Sequence, residues 1–195
     1  MQAFTKRMFA VLMSLSAATA VAQHSYDDAA VKDNELAQRR AEILKMSDAA
    51  IADLRKDGAA NKLFGEAYGH AVFDTTKGGL IVTGAGGTGV AMTKSGRIPV
   101  FMHVGAGGIG LGAGVENYKL IILFENKDTY DKFVEGAWSA GFSAQAAAGD
   151  SGKGVVGKFN NGVAVYHQTD KGLIAQVDVT GVKFWPADKL NPGIG

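Results

Sequence analysis

Cysteine is absent from all 195 residues. That excludes disulfides, thiolate metal sets and the acylated cysteine of a lipoprotein anchor. Histidine is sparse, and His24, His70, His103 and His167 lack the close spacing, such as H-x-x-x-H, that would set two metal ligands on one face. No later apolar run reaches the roughly 20 residues of a membrane-spanning helix. Neither sign of charge dominates, with 20 basic and 19 acidic residues. Without a basic field the chain has no electrostatic footprint for nucleic acid, whose binding rests on phosphate neutralisation by clustered Lys and Arg. Glycine is missing before Gly58, although the chain holds 27 of them. The molecule therefore has two parts of different physics.

The first residues have the pattern of a cleaved export signal. Lys6 and Arg7 start it, Met8 to Ala18 form a short apolar core, and Ala20-Val21-Ala22 supply small residues before Gln23. Removing 1–22 leaves 18 basic against 19 acidic residues. The expected product is periplasmic or secreted, soluble or peripherally membrane-associated. Its length suits one domain with a sizeable core and a helical arm, divided as a helical segment over 23–69 and a glycine-rich β-rich domain over 70–195.

From Asp27 to Asp57 there is neither Gly nor Pro, and Leu36, Ile43, Leu44, Ile51 and Leu54 recur at helical spacing. Gly58 reads as the stop of this long helix. Its polar face is mixed and net acidic, so packing onto the protein explains the stripe better than a membrane surface, which favours basic faces. A short helix is expected from Ala59 to Ala67, leading into Ala71-Val72-Phe73. Strands follow at Leu80–Thr83, Gly89–Met92, Ile98–Met102, Leu120–Phe124, Val163–Tyr166 and Leu173–Val177, each short and bounded by turn residues. Lys94-Ser95-Gly96-Arg97 and Thr169-Asp170-Lys171-Gly172 read as hairpin turns. A helix at Lys127–Ala137 presents Tyr130, Phe133 and Val134 inward. The pattern predicts an α+β fold: a mostly antiparallel, strongly curved glycine-rich sheet or small barrel, with a long N-terminal helix and a few short helices packed on it.

Two glycine runs repeat each other, Gly84-Ala85-Gly86-Gly87-Thr88-Gly89 and Gly105-Ala106-Gly107-Gly108-Ile109-Gly110. Both match G-x-G-x-x-G, yet neither opens a helix, so the dinucleotide fingerprint lacks its context. Gly152 to Lys158 fits G-x-x-x-x-G-K, but Phe159 stands where a phosphate loop needs a hydroxyl for magnesium. Gly149-Asp150-Ser151-Gly152 matches part of a serine-protease nucleophile segment, although Lys153 replaces the next glycine and no base or orienting acid is indicated. No catalytic constellation emerges, and no cofactor is implied. Lys94, Arg97, Lys153 and Lys158 lie in or beside glycine-rich loops, where backbone N–H groups form anion-binding concavities that a flexible cation completes.

From His70 to Asn191 the order of features resembles the SYLF domain, a lipid-binding family of exported bacterial proteins and of eukaryotic proteins that bind phosphoinositides and actin. The features in register are Ala71-Val72-Phe73 before Lys77-Gly78-Gly79, the hairpin through Gly89-Val90, and Pro99 before Val104–Gly110. They continue with the Leu120–Phe124 strand, the helix containing Tyr130 and Phe133, Ala146-Ala147-Ala148-Gly149 ending in Lys153, and Tyr166 with Lys171-Gly172-Leu173. The chain departs from the family at Ala85, where a basic residue is common, and at Arg97-Ile98, where a Trp is common. The resemblance implies a non-enzymatic protein that recognises phospholipid headgroups peripherally, with Lys153 at a basic family position; Lys94, Arg97 and Lys158 join it on local chemistry. The expected partner is an anionic phospholipid or membrane surface. The alternative is a periplasmic structural or protein-interaction module.

Overall fold

The structure, a computed structural model, describes residues 31–75, 86–96, 98–106, 118–136, 158–169, 172–176 and 182–191. The expected export signal, the Leu80–Thr83 strand, Arg97 and Lys153 lie outside the described residues. The chain divides into two compact units, Met1–Arg39 and Arg40–Gly195. Of the first, residues 31–39 are helical and largely exposed. The second carries the sheet.

Helix α1 spans residues 31–54 among the described residues. From residue 40 onward its stripe is buried at Ile43, Ala50, Ile51 and Leu54. Asp57, which the sequence pattern assigns to the end of this helix, instead caps the next one. Its carboxylate accepts the Ala60 N–H at 2.8 Å, and α2 runs Gly58–Glu66. Gly58 is thus the first residue of the second helix, and the first ends earlier, at residue 54. An Asp at this position satisfies one of the orphan donors of a helix start, which is why two helices meet here with almost no linker.

Seven strands form the sheet: β1 Gly69–Asp74, β2 Gly86–Thr93, β3 Val100–Ala106, β4 Lys119–Phe124, β5 Val163–Thr169, β6 Gly172–Gln176 and β7 Val182–Pro186. Their order is β6-β5-β4-β1-β2-β3-β7 and every pairing is antiparallel. β6 and β7 stand at opposite margins, so among the described residues the sheet is open, and the choice between sheet and barrel falls to the sheet. Helix α3, Lys127–Val134, follows β4 and is capped by Asn126, whose side chain accepts from the Thr129 N–H at 3.0 Å.

Both faces of the sheet are covered at its centre. One carries Phe73, Met102, Leu120, Ile122, Phe124, Val163 and Phe184 against Tyr130 and Phe133 of α3. The other carries Val72, Ile121, Leu123, Ala164 and Tyr166 against Ala50, Ile51 and Leu54 of α1 and Ala60 and Leu63 of α2. Double coverage explains why β4 is apolar without alternation: Ile121, Ile122, Leu123 and Phe124 point to both sides and all are fully buried.

The glycine runs become intelligible in register. Gly86 pairs with Gly105 across β2 and β3. A Cβ on Gly89 would stand 2.1 Å from the Val72 carbonyl oxygen and 2.5 Å from the Phe73 ring, and one on Gly105 would stand 2.8 Å from the tip of Trp185. Neighbouring backbone and aromatic rings occupy the space that side chains would take.

Candidate functional site

At one end of the sheet Thr93, Gly69, Phe124 and Val163 form a row across β2, β1, β4 and β5. The β2–β3 turn, the end of α2, the start of α3 and residues 158–162 all emerge there. Lys94 leads the turn, which closes through Gly96 N–H to the Thr93 carbonyl at 3.1 Å, with Gly96 at φ 67°. Its backbone N–H donates to the Tyr68 carbonyl at 3.0 Å, and its ammonium donates to the Gly65 carbonyl in the last turn of α2. A cation there also meets the negative end of the helix dipole. Lys94 is therefore exposed but engaged. Lys158 is exposed in the segment that leads into β5 at the same end, five residues before Val163. Of the four predicted cations the structure brings these two to one end and describes neither Arg97 nor Lys153.

The surroundings are mixed in charge. Glu66 and Glu125 are exposed at this end, and Lys127 and Lys132 pair with Asp131 and Asp128 one turn along α3. Ile98, expected inside a strand, lies outside β3 and is 76% exposed beside the Lys94 turn. Pro99 follows it and has no N–H to give to a ladder.

The same end is closed by a side-chain clip. Buried Asn191 accepts the Phe101 N–H at 2.8 Å and donates to the carbonyls of Phe101 at 2.7 Å and Ala187 at 3.1 Å. Its amide extends the β3 ladder as an extra strand would. Arg40 of α1 donates to the Leu190 carbonyl at 3.0 Å, joining the helix to the same segment.

His70 and His167 are not additional cations. Burial holds His70 down to about 4 against its ring contact with Phe64 at 5.5 Å, while the Asp48 carboxylate pulls weakly the other way. Burial likewise holds His167, stacked on Tyr118 at 4.4 Å, to about 4. Both are neutral at pH 7. Among the described residues no group of three or more His, Asp or Glu is placed to hold a metal, and no helix is long and apolar enough to cross a membrane.

Sequence reasoning overlooked β7. Val182 to Pro186 alternates Lys183 and Trp185 with Phe184 between them, and Trp185 is 39% exposed at the margin of the sheet. That alternation was the available signal; Pro186 at its end obscured it.

Residues 105–193, from the last two residues of β3 through β7 and the Asn191 clip, match the family model described as Ysc84, Las17-binding protein actin regulator. The chain is also similar to beta cell expansion factor A of Aeromonas veronii, with 34% identity over 149 residues, covering 76% of this chain and 57% of that protein. It thus spans little more than half the length of that relative. The match takes in β4, α3, β5, β6, β7 and the C-terminal clip, and residues 105–193 of the chain thus belong to the SYLF (Ysc84) domain family, a family of binding domains.

Proposed function

We propose that the protein is an exported, non-enzymatic lipid-binding protein that adsorbs peripherally to anionic phospholipid headgroups. The observation that carries this reading is the shared position of exposed Lys94 and Lys158 at one sheet end, with solvent-exposed Ile98 beside the Lys94 turn. Arg97 is next in sequence to Ile98, and Lys153 lies five residues before Lys158. A cation near an anionic surface contributes on the order of 1 kcal/mol, so three or four give weak, salt-sensitive adsorption. One apolar side chain adds interfacial burial without committing the protein to insertion. Exposed Glu66 and Glu125 keep the attraction modest and make it depend on the loop cations.

A quadruple charge-removal variant, Lys94→Gln with Arg97→Gln, Lys153→Gln and Lys158→Gln, tests the assignment. Anionic-vesicle binding at low salt should fall by about tenfold or more. Undiminished binding by the folded variant would remove these cations from the account.

A protein-interaction reading draws on the family description, which names a protein partner for that family. The apolar stripe of α1 does not favour it, because from residue 40 onward that stripe is buried at Ile43, Ala50, Ile51 and Leu54.

A further inference from the structure

The strand registers define one transverse row on the face that α1 covers. Trp185 stands opposite His103, His103 opposite Thr88, Thr88 opposite Asp74, Asp74 opposite Lys119, and Lys119 opposite Gln168. One step nearer the helices the corresponding row is Phe101, Val90, Val72, Ile121 and Tyr166, all buried. Polarity therefore switches completely within one step along the strands.

The path of α1 explains the switch. Arg40 bonds the Leu190 carbonyl past the end of β7, and Asp53, nearly four turns later, accepts from Gln168 on β5 at 2.9 Å. The helix thus crosses the face diagonally from the β7 side at one sheet end to β5 at the other. The corner made by β1, β2, β3 and β7 carries no helix among the described residues. There the side chains of Thr88, His103 and Asp74 are half-buried and Trp185 is exposed.

The composition of this corner is selective. The Trp185 indole reaches over Gly105, which pairs with Gly86 on one side and with exposed Lys183 on the other, so the floor beside the polar row is bare only at the two glycines. His103 lies 5.7 Å from Trp185, ring to ring, and neither His103 nor Asp74 is without a partner. Asp74 stands directly across from Lys119, so their charges offset, while Lys183, on the same face as Trp185, is exposed at the margin. An acyl chain would have to strip water from Asp74, Lys119 and Thr88 without replacing their hydrogen bonds, at considerable cost. A neutral, polyhydroxylated ring suits all of them: its C–H face lies on the indole while its hydroxyls both donate to the carboxylate and accept from hydroxyl and imidazole.

We propose that this corner, Trp185 with His103, Thr88 and Asp74, is a binding site for neutral carbohydrate, separate from the cationic end of the sheet. Calorimetric titration of the full chain with maltotetraose, cellotetraose and chitotetraose tests it. At least one should bind with little salt dependence, and Trp185→Ala should weaken that binding about tenfold or more. Thr88→Val, which keeps the side-chain shape and removes only the hydroxyl, should weaken it as well, and it covers the case in which the tryptophan variant folds poorly. Both variants should retain wild-type sedimentation with anionic vesicles. Absence of binding to all the oligosaccharides, or binding unchanged in Thr88→Val, would overturn the proposal. So would loss of vesicle binding in a folded Trp185→Ala protein, which would make the indole a membrane anchor.

Discussion

Asn191 performs with one amide what a strand does with a peptide: it takes the Phe101 N–H and donates to two carbonyls. Asn191→Ala leaves a buried donor and two carbonyls without these partners, and the expected loss is about 2–4 kcal/mol. It should be read as a lower urea midpoint with an unchanged slope. Asn191→Asp should not rescue, because a carboxylate can accept the N–H but then faces the two carbonyl oxygens. Sequence alone could not locate this role, since Asn191 and Phe101 are 90 residues apart. Lys94 is a similar case. Its loop position and exposure were legible, while its bond to Gly65 depends on α2 ending beneath the turn. The buried imidazoles carry a pH dependence of definite sign. His70 and His167 have folded values of about 4 against 6.5, so the unfolded chain takes up protons first as pH falls. Their contribution to stability is complete above about pH 6.5, declines through the window down to about 4, and then levels off, by up to about 3 kcal/mol for each group. Urea midpoints at pH 7 and pH 4.5 should show this decline. A His70→Gln/His167→Gln protein with an equal decline would contradict the assignment.

Strands and helices treat glycine in opposite ways, and β2 and α2 offer the comparison in one chain. A Cβ on Gly89 meets backbone and ring atoms that cannot move without parting β1 from β2, whereas around Gly65 in α2 there is nothing within 4 Å. Gly89→Ala should cost several kcal/mol or prevent folding. Gly65→Ala should stabilise by about 0.5–1 kcal/mol, and thermal denaturation of the two variants checks the opposed signs. The elements that could be read from the sequence are those whose signals are local. β4 is a bounded apolar run, α3 has a stripe of Tyr130 and Phe133 after a capping Asn126, and β5 begins after the turn residues Asn161 and Gly162. β7 escaped because its five residues end in proline and, among the described residues, it pairs only with β3, some 80 positions earlier. Ile98 was misplaced because its β-branched character suggests a strand, whereas Pro99 interrupts the ladder and β3 begins at Val100.

Among the described residues, this open antiparallel sheet, covered centrally on both faces, leaves two kinds of surface, its loop-bearing ends and its corners. Of the cations of the proposed headgroup site, Lys94 and Lys158 belong to one end, and the polar row with Trp185 belongs to a corner. Part of the first was legible, because Lys in glycine-rich turns is a local pattern. The second was not, because Trp185, His103, Thr88 and Asp74 come from four strands and meet only through register. The central claim is peripheral, charge-dependent attachment to lipid, and vesicle co-sedimentation of residues 23–195 measures it most directly. With phosphatidylcholine vesicles little protein should sediment at any salt. With phosphatidylglycerol-containing vesicles most should sediment at low ionic strength, and raising the salt to moderate concentrations should release it. Absence of binding to either vesicle, or equal binding to both that salt does not disturb, would contradict the account.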